Sequence, residues 1–173
     1  EKVQVTQTSS GESQGRLPDG ANNIVTFSTT TTPGKSNYKP IESLAINEVL
    51  THTDPPYEDA IEFLNLGDEP LNLSKWWISN SQSNLKKFQI PDGTTIQPLD
   101  TLAFYEGQFN PTPGTDLSFA LNSSQGDQVI LSATDLSGEL TGYRIIVEFE
   151  AAENSISFGR IKTSIGDQFV TLE

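Results

Sequence analysis

Apolar residues in this chain come in short runs of about five to eight, rich in β-branched and aromatic types, and each run ends at Gly, Pro, Asn or Asp. No stretch sustains the three-and-four spacing that a helix needs to bury one face. Strands are therefore expected over 43–50, 60–66, 71–79, 85–90, 101–105, 117–121, 128–132, 143–149, 155–161 and 168–172. Turn signals lie between them at Leu66-Gly67-Asp68, Pro91-Asp92-Gly93, Gln125-Gly126-Asp127 and Leu136-Ser137-Gly138-Glu139. Many short strands at regular spacing specify an antiparallel sandwich. Alternation with polar neighbours places Leu44, Ile46, Val49, Ile61, Phe63, Phe104, Phe119, Leu121, Val129 and Leu131 in its core.

A second feature is an internal repeat. Val3-Gln4-Val5-Thr6-Gln7-Thr8, Ser13-Gln14-Gly15-Arg16 and Ile24-Val25-Thr26-Phe27 open the chain, and Val147-Glu148-Phe149, Ser157-Phe158-Gly159-Arg160 and Phe169-Val170-Thr171-Leu172 close it. Setting Gly15-Arg16 on Gly159-Arg160 aligns alternating apolar runs on both sides, with a one-residue gap in the second half. Residues 1–27 thus read as the last strands of another copy of the fold that ends the chain. Between them, 28–40 is a Thr-, Pro- and Gly-rich linker without the means to form a core. The main domain is expected over 41–173.

Charge narrows the partners. Ten Lys and Arg stand against 23 Asp and Glu, a formal charge of -13. Such a field repels a phosphate backbone, so no nucleic-acid partner is expected. Cysteine is absent, which removes disulfides, thiolate nucleophiles and zinc-thiolate sites. No apolar run reaches the roughly 20 residues of a membrane-spanning helix. Starting at Glu1, with no Met anywhere, the sequence reads as a segment of a longer product.

Particular residues carry a resemblance. Leu44-Ala45-Ile46-Asn47-Glu48-Val49 resembles the opening strand of the lamin tail domain family, as found in large secreted bacterial proteins. Residues 60–74, from Ala60-Ile61-Glu62-Phe63 through Asn65, Gly67-Asp68-Glu69-Pro70 and Leu73-Ser74, are similar to its next strand and turn. Further matches are Trp77-Ile78-Ser79, Phe88 to Ile96 with Pro91-Asp92-Gly93, and Phe119 to Ser124 followed by Gly126-Asp127. The opening segment resembles the family's closing signature in Ser13, Gly15-Arg16, Pro18-Asp19-Gly20, Thr32-Pro33-Gly34 and Asn37. Ala60 departs from a position where the family often has Trp, and Lys162-Thr163-Ser164 replaces Pro-Asp-Gly after Gly159-Arg160. The resemblance implies an all-β, immunoglobulin-like antiparallel β-sandwich, here preceded by an N-terminal β-strand arm. It also implies a non-enzymatic module of attachment and assembly.

Few residues compete for a chemical role. The lone histidine, His52, lies near Asp54, Glu58 and Asp59 in a loop broken by Pro55-Pro56. That loop is read as solvated, yet it is the first place to look for a metal. No cofactor is expected beyond weak Ca2+ binding there. No Gly-x-Ser-x-Gly elbow accompanies the histidine, and no acid pair stands in a recognisable motif, so hydrolysis is not expected. Trp76 and Trp77 are neighbours on an expected strand, so one should enter the core while the other is exposed or covered by a loop or the arm.

Together these readings describe an extracellular, secreted or cell-surface module. Val3, Val5, Ile24, Val25, Phe27 and Trp76 are its candidate partner-binding residues. The partner is a neighbouring lamin tail domain, in the same chain or in another copy, joined by strand pairing into an array or filament. The arm is expected to dock there and not on its own domain. The alternative is an accessory adhesion or carbohydrate-binding domain of a larger secreted hydrolase.

Overall fold

The structure, a computed structural model, describes residues 5–172. Fourteen strands and one helical turn follow in chain order. They are β1 (Ser13–Arg16), β2 (Ile24–Phe27), β3 (Lys39–Pro40), β4 (Leu44–Leu50), β5 (Ala60–Asn65), β6 (Leu71–Asn72) and β7 (Trp77–Ser79). Then come β8 (Phe88–Gln89), β9 (Thr95–Ile96), β10 (Thr101–Tyr105), α1 (Glu106–Phe109), β11 (Asp127–Thr134), β12 (Leu140–Phe149), β13 (Ser157–Thr163) and β14 (Gly166–Leu172).

Two five-stranded sheets, ordered β10-β5-β4-β13-β14 and β3-β12-β11-β7-β8, enclose the core. All their pairings are antiparallel except β3 with β12. Two small ladders, β1-β2 and β6-β9, lie apart from them. The alternation of β5 explains its place: Ile61 and Phe63 are fully enclosed, whereas Glu62 and Leu64 are half-buried on the other face. The ten residues expected in the core are all buried.

Three sequence expectations change. Residues 117–121 form no strand; Phe119 reaches the core by stacking on Phe109, with ring centroids 4.9 Å apart. Phe109 arrives there because α1, which periodicity did not signal, is a single turn that swings one side chain inward. The long run expected at 71–79 is two short strands separated by Lys75, whose φ of 67° cannot continue a strand. At the end of β5, buried Asn65 still pairs with Leu44 of β4 and adds side-chain bonds: its Nδ2 donates to the carbonyls of Glu69 (2.8 Å) and Ile96 (3.1 Å), and its Oδ1 accepts from Gly67 N (2.9 Å). A buried amide so fully paired locks the turn that follows.

The outer face of the second sheet is covered as well. Strand β11 is buried on both faces from Val129 to Ala133, where alternation alone leaves every second residue in solvent. The 80–84 loop folds across that face, with Gln82 Nε2 donating to Gln128 Oε1 at 3.0 Å. Residues before β3 cover more of it, with Ser36 and Tyr38 against Arg144 of β12.

Candidate interaction site

The two halves of the internal repeat fold into the same hairpin. In β1-β2, Ser13 faces Phe27, Gly15 faces Val25 and Arg16 faces Ile24. In β13-β14, Ser157 faces Leu172, Gly159 faces Val170 and Arg160 faces Phe169. Each glycine is roofed by the side chain at the far end of its partner strand. A Cβ on Gly15 would stand 3.3 Å from the Phe27 ring, and one on Gly159 would stand 2.4 Å from Leu172 Cδ1. Each arginine clamps its own hairpin: Arg160 pairs with Asp167 at 2.7 Å, and Arg16 donates to the Ala21 carbonyl.

The hairpins differ in what lies beyond β1 and β13. Strand β13 is flanked by β4, with Phe158 opposite Val49 and Gly159 opposite Glu48. Strand β1 pairs with β2 alone among the described residues. On the side where β4 flanks β13, β1 meets no described strand; the Arg16 carbonyl accepts from Asn37 Nδ2 there, and the Gln14 side chain bonds Thr6. At the position of core residue Phe158 the arm carries Gln14.

They differ also in their connections. The β13-β14 ladder runs on to Thr163 opposite Gly166, whereas the arm opens at Arg16 into a loop, residues 17–23. That loop is a joint. Buried Leu17 and half-buried Pro18 sit over Gly142 of β12, where an added Cβ would meet Leu17 Cδ1 at 2.4 Å. Asp19 accepts from Ser36 Oγ (2.5 Å) and from Asn37 N, while Asn37 Nδ2 donates back to the Arg16 carbonyl (3.0 Å). From β12, Arg144 donates to Ser36 Oγ at 3.0 Å and lies 5.8 Å from the Tyr38 ring centre. Loop, linker and β12 are thus tied by bonds that cross long sequence distances.

These contacts revise several expectations. Phe27 is only 2% exposed and serves the arm's own packing, so it is not a free docking side chain. Ile24 and Val25 are half-buried. Val5 is exposed outside any strand, and Val3 lies outside the described residues, so the first expected strand is not seen over 5–8. Trp76 is half-buried against the core and lines a cleft of about 780 Å³ with Phe27, Lys39 and Tyr143. The linker is ordered at its end, where β3 pairs with Tyr143 and Arg144 of β12. The arm does dock on its own domain, through the joint, because Gly142 leaves room for Leu17.

The carboxylates of the acidic loop point apart. Asp54 accepts from Asn154 Nδ2, Glu58 from Gly107 N at 2.9 Å, and Asp59 from Thr53 Oγ1 at 2.9 Å. His52 Nδ1 faces the Ala152 carbonyl at 3.0 Å. Three carboxylates thus turn to three separate partners. Among the described residues no group of three or more His, Cys, Asp or Glu is placed to hold a metal ion. Beside this loop, exposed Tyr57 and Tyr105 with Glu58 and Gln108 line a cleft of about 900 Å³.

Asp59 titrates abnormally. Burial raises its pKa above the ordinary 3.8, Glu106 adds to the rise, and the Thr53 hydrogen bond and His52 oppose it. The folded chain therefore binds this proton more readily than the unfolded one, and the contribution of Asp59 to stability falls as pH rises through the window above 3.8. Asp59→Asn should gain in melting temperature relative to the natural chain as pH rises from about 3.5 to 7. A difference that stays flat across thermal scans at that series of pH values would show that Asp59 is not desolvated.

Leu17, Asp19, Ser36, Asn37, Gly142 and Arg144 were not legible as a site in the sequence. The available signals were Arg144, the one cation of β12, and Pro18-Asp19-Gly20, a turn kept in one hairpin and replaced in the other. Comparisons with curated proteins and with solved structures each returned no match. A family model described as Lamin Tail Domain matches residues 38–146, which contain the opening strand, the Asn65 turn and most of both sheets. With that match over more than half of its length, and with two packed sheets that make the fold an immunoglobulin-like sandwich, the chain belongs to the lamin tail domain family.

Proposed function

We propose that this chain is a non-enzymatic structural and interaction module of a secreted or surface bacterial protein, linked to its neighbours through the N-terminal hairpin. One observation carries the reading: β1-β2 reproduces the closing hairpin β13-β14 in the same register, yet among the described residues no strand flanks β1 as β4 flanks β13. The hairpin fits the β4-type strand of a neighbouring lamin tail domain that lacks its own closing hairpin, since β4 of a complete domain is already flanked by β5 and β13, and main-chain pairing of this kind supplies affinity without a side-chain pocket. Its connecting loop meanwhile holds the following domain by Leu17, Asp19 and Arg144. The arm then completes the first sheet of one unit while its joint holds the next, which makes an array or filament. High negative charge and the absence of cysteine support an extracellular setting. The lamin tail domain is a non-catalytic family, and His52 facing a backbone carbonyl supports the same for this chain.

Amide hydrogen exchange tests this. The Gln14 amide, which the β1-β2 ladder turns outward, should exchange quickly in dilute protein and slow about tenfold or more, near 1.4 kcal/mol, when a soluble peptide carrying residues 44–50 is added. Unchanged exchange with the peptide present would overturn the reading. The cleft between Tyr57 and Tyr105 favours the second reading, an accessory carbohydrate-binding role, because tyrosine faces stack on sugar rings. Oligosaccharide binding lost in Tyr57→Ala would support it, with β1 exchange unaffected.

A further inference from the structure

Away from the hairpin edge, where linker and 80–84 loop meet over β12, a cavity of about 510 Å³ opens on the outer face of the second sheet. Its lining includes Lys35 and Arg144, with the hydroxyls of Thr32, Ser36, Ser81 and Ser83, and no carboxylate. In a chain with 23 acidic residues that combination stands out. The guanidinium of Arg144 is the anomaly within it. The residue is 5% exposed, yet it donates a hydrogen bond only to Ser36 Oγ, and its enclosed Nε has no partner among the described residues. Asp19 reaches it only through Ser36. A buried cation with unused donors is costly unless an anion meets it.

We propose that this cavity binds a tetrahedral oxyanion, phosphate or sulfate, with Arg144 and Lys35 supplying charge and the Ser81–Ser83 hydroxyl pair a further donor. Guanidinium and hydroxyl groups around a common space match the several acceptor oxygens of such an ion. Desolvation lowers the pKa of Arg144, with Asp19 and Tyr38 offsetting it in part, as expected where compensating charge is incomplete. Because the lining joins the linker to the 80–84 loop, a bound anion would also fasten the arm's joint to its domain.

The test is a titration of the full chain with sodium phosphate and with sodium sulfate, sodium chloride holding ionic strength constant, read from the Arg144 Nε–Hε resonance. A saturable shift absent with chloride is expected. Lys35→Gln, at an exposed position that the fold does not need, should weaken it about 10- to 100-fold, the worth of one charge-assisted hydrogen bond. A sugar sulfate or phosphoserine titrated in parallel separates the sources: tighter binding than the inorganic ion assigns an ester, and equal or weaker binding assigns the free ion. The proposal is overturned if the resonance responds to chloride as it does to phosphate and sulfate, or if Lys35→Gln leaves the affinity unchanged.

Discussion

Replacing Phe63 with Ala should cost about 3–5 kcal/mol of stability, the range for a large aromatic removed from a packed core. Phe63 is fully enclosed on β5 and meets Phe104 edge to face, with centroids 6.0 Å apart, while Phe104 meets Phe88 in turn at 5.6 Å. These rings join the first sheet to the second. Removing Phe63 leaves a void bordered by Phe104, which cannot follow it without giving up its contact with Phe88. Chemical denaturation should show a lower midpoint with little change in slope. A loss below about 1 kcal/mol would mean that the site collapses freely, and that the sandwich is not close-packed here.

Gly126→Ala should be nearly as damaging for a different reason. Gly126 has φ of 80°, and a Cβ there would stand 2.4 Å from the Phe149 carbonyl oxygen and 2.9 Å from Glu150 Cα. Left-handed backbone costs a side chain about 1–2 kcal/mol, and forcing the end of β12 aside adds about 1–3 more. Gly138, with φ of 87° and open space around it, supplies the control. Gly138→Ala should cost only the conformational part, roughly 1–2 kcal/mol. Equal losses at the two positions, measured in urea, would show that the close approach of β12 to the 122–126 turn has no energetic weight.

The sandwich was legible because it is written in local terms. Ile61, Phe63, Val129 and Leu131 alternate with polar neighbours, and a strand with one face in the core cannot slip by one residue without burying the wrong set. The shared hairpin was legible too, since Gly15-Arg16 and Gly159-Arg160 stand in matching apolar surroundings, and both pair in the same register. Where sequence reading went astray, neighbours far along the chain had intervened. Residues 117–121 look like a strand, but Phe119 finds its place by stacking on Phe109. Ile130 and Ser132 look exposed by alternation, yet both are buried because loops cross the outer face.

Sequence by itself determined the all-β class, the core faces, the repeat and the family, because strand periodicity, turn residues and short motifs act within a few residues of one another. Only the tertiary structure decided where the arm goes. Leu17 and Gly142 are far apart in the chain, and neither announces the other; a missing Cβ on one strand makes room for one leucine, and Asp19, Ser36 and Arg144 then align around it. The same holds for Asp54, Glu58 and Asp59, adjacent in sequence but turned to separate partners by the backbone that carries them. Proximity along the chain is not convergence in space, and a site requires the second.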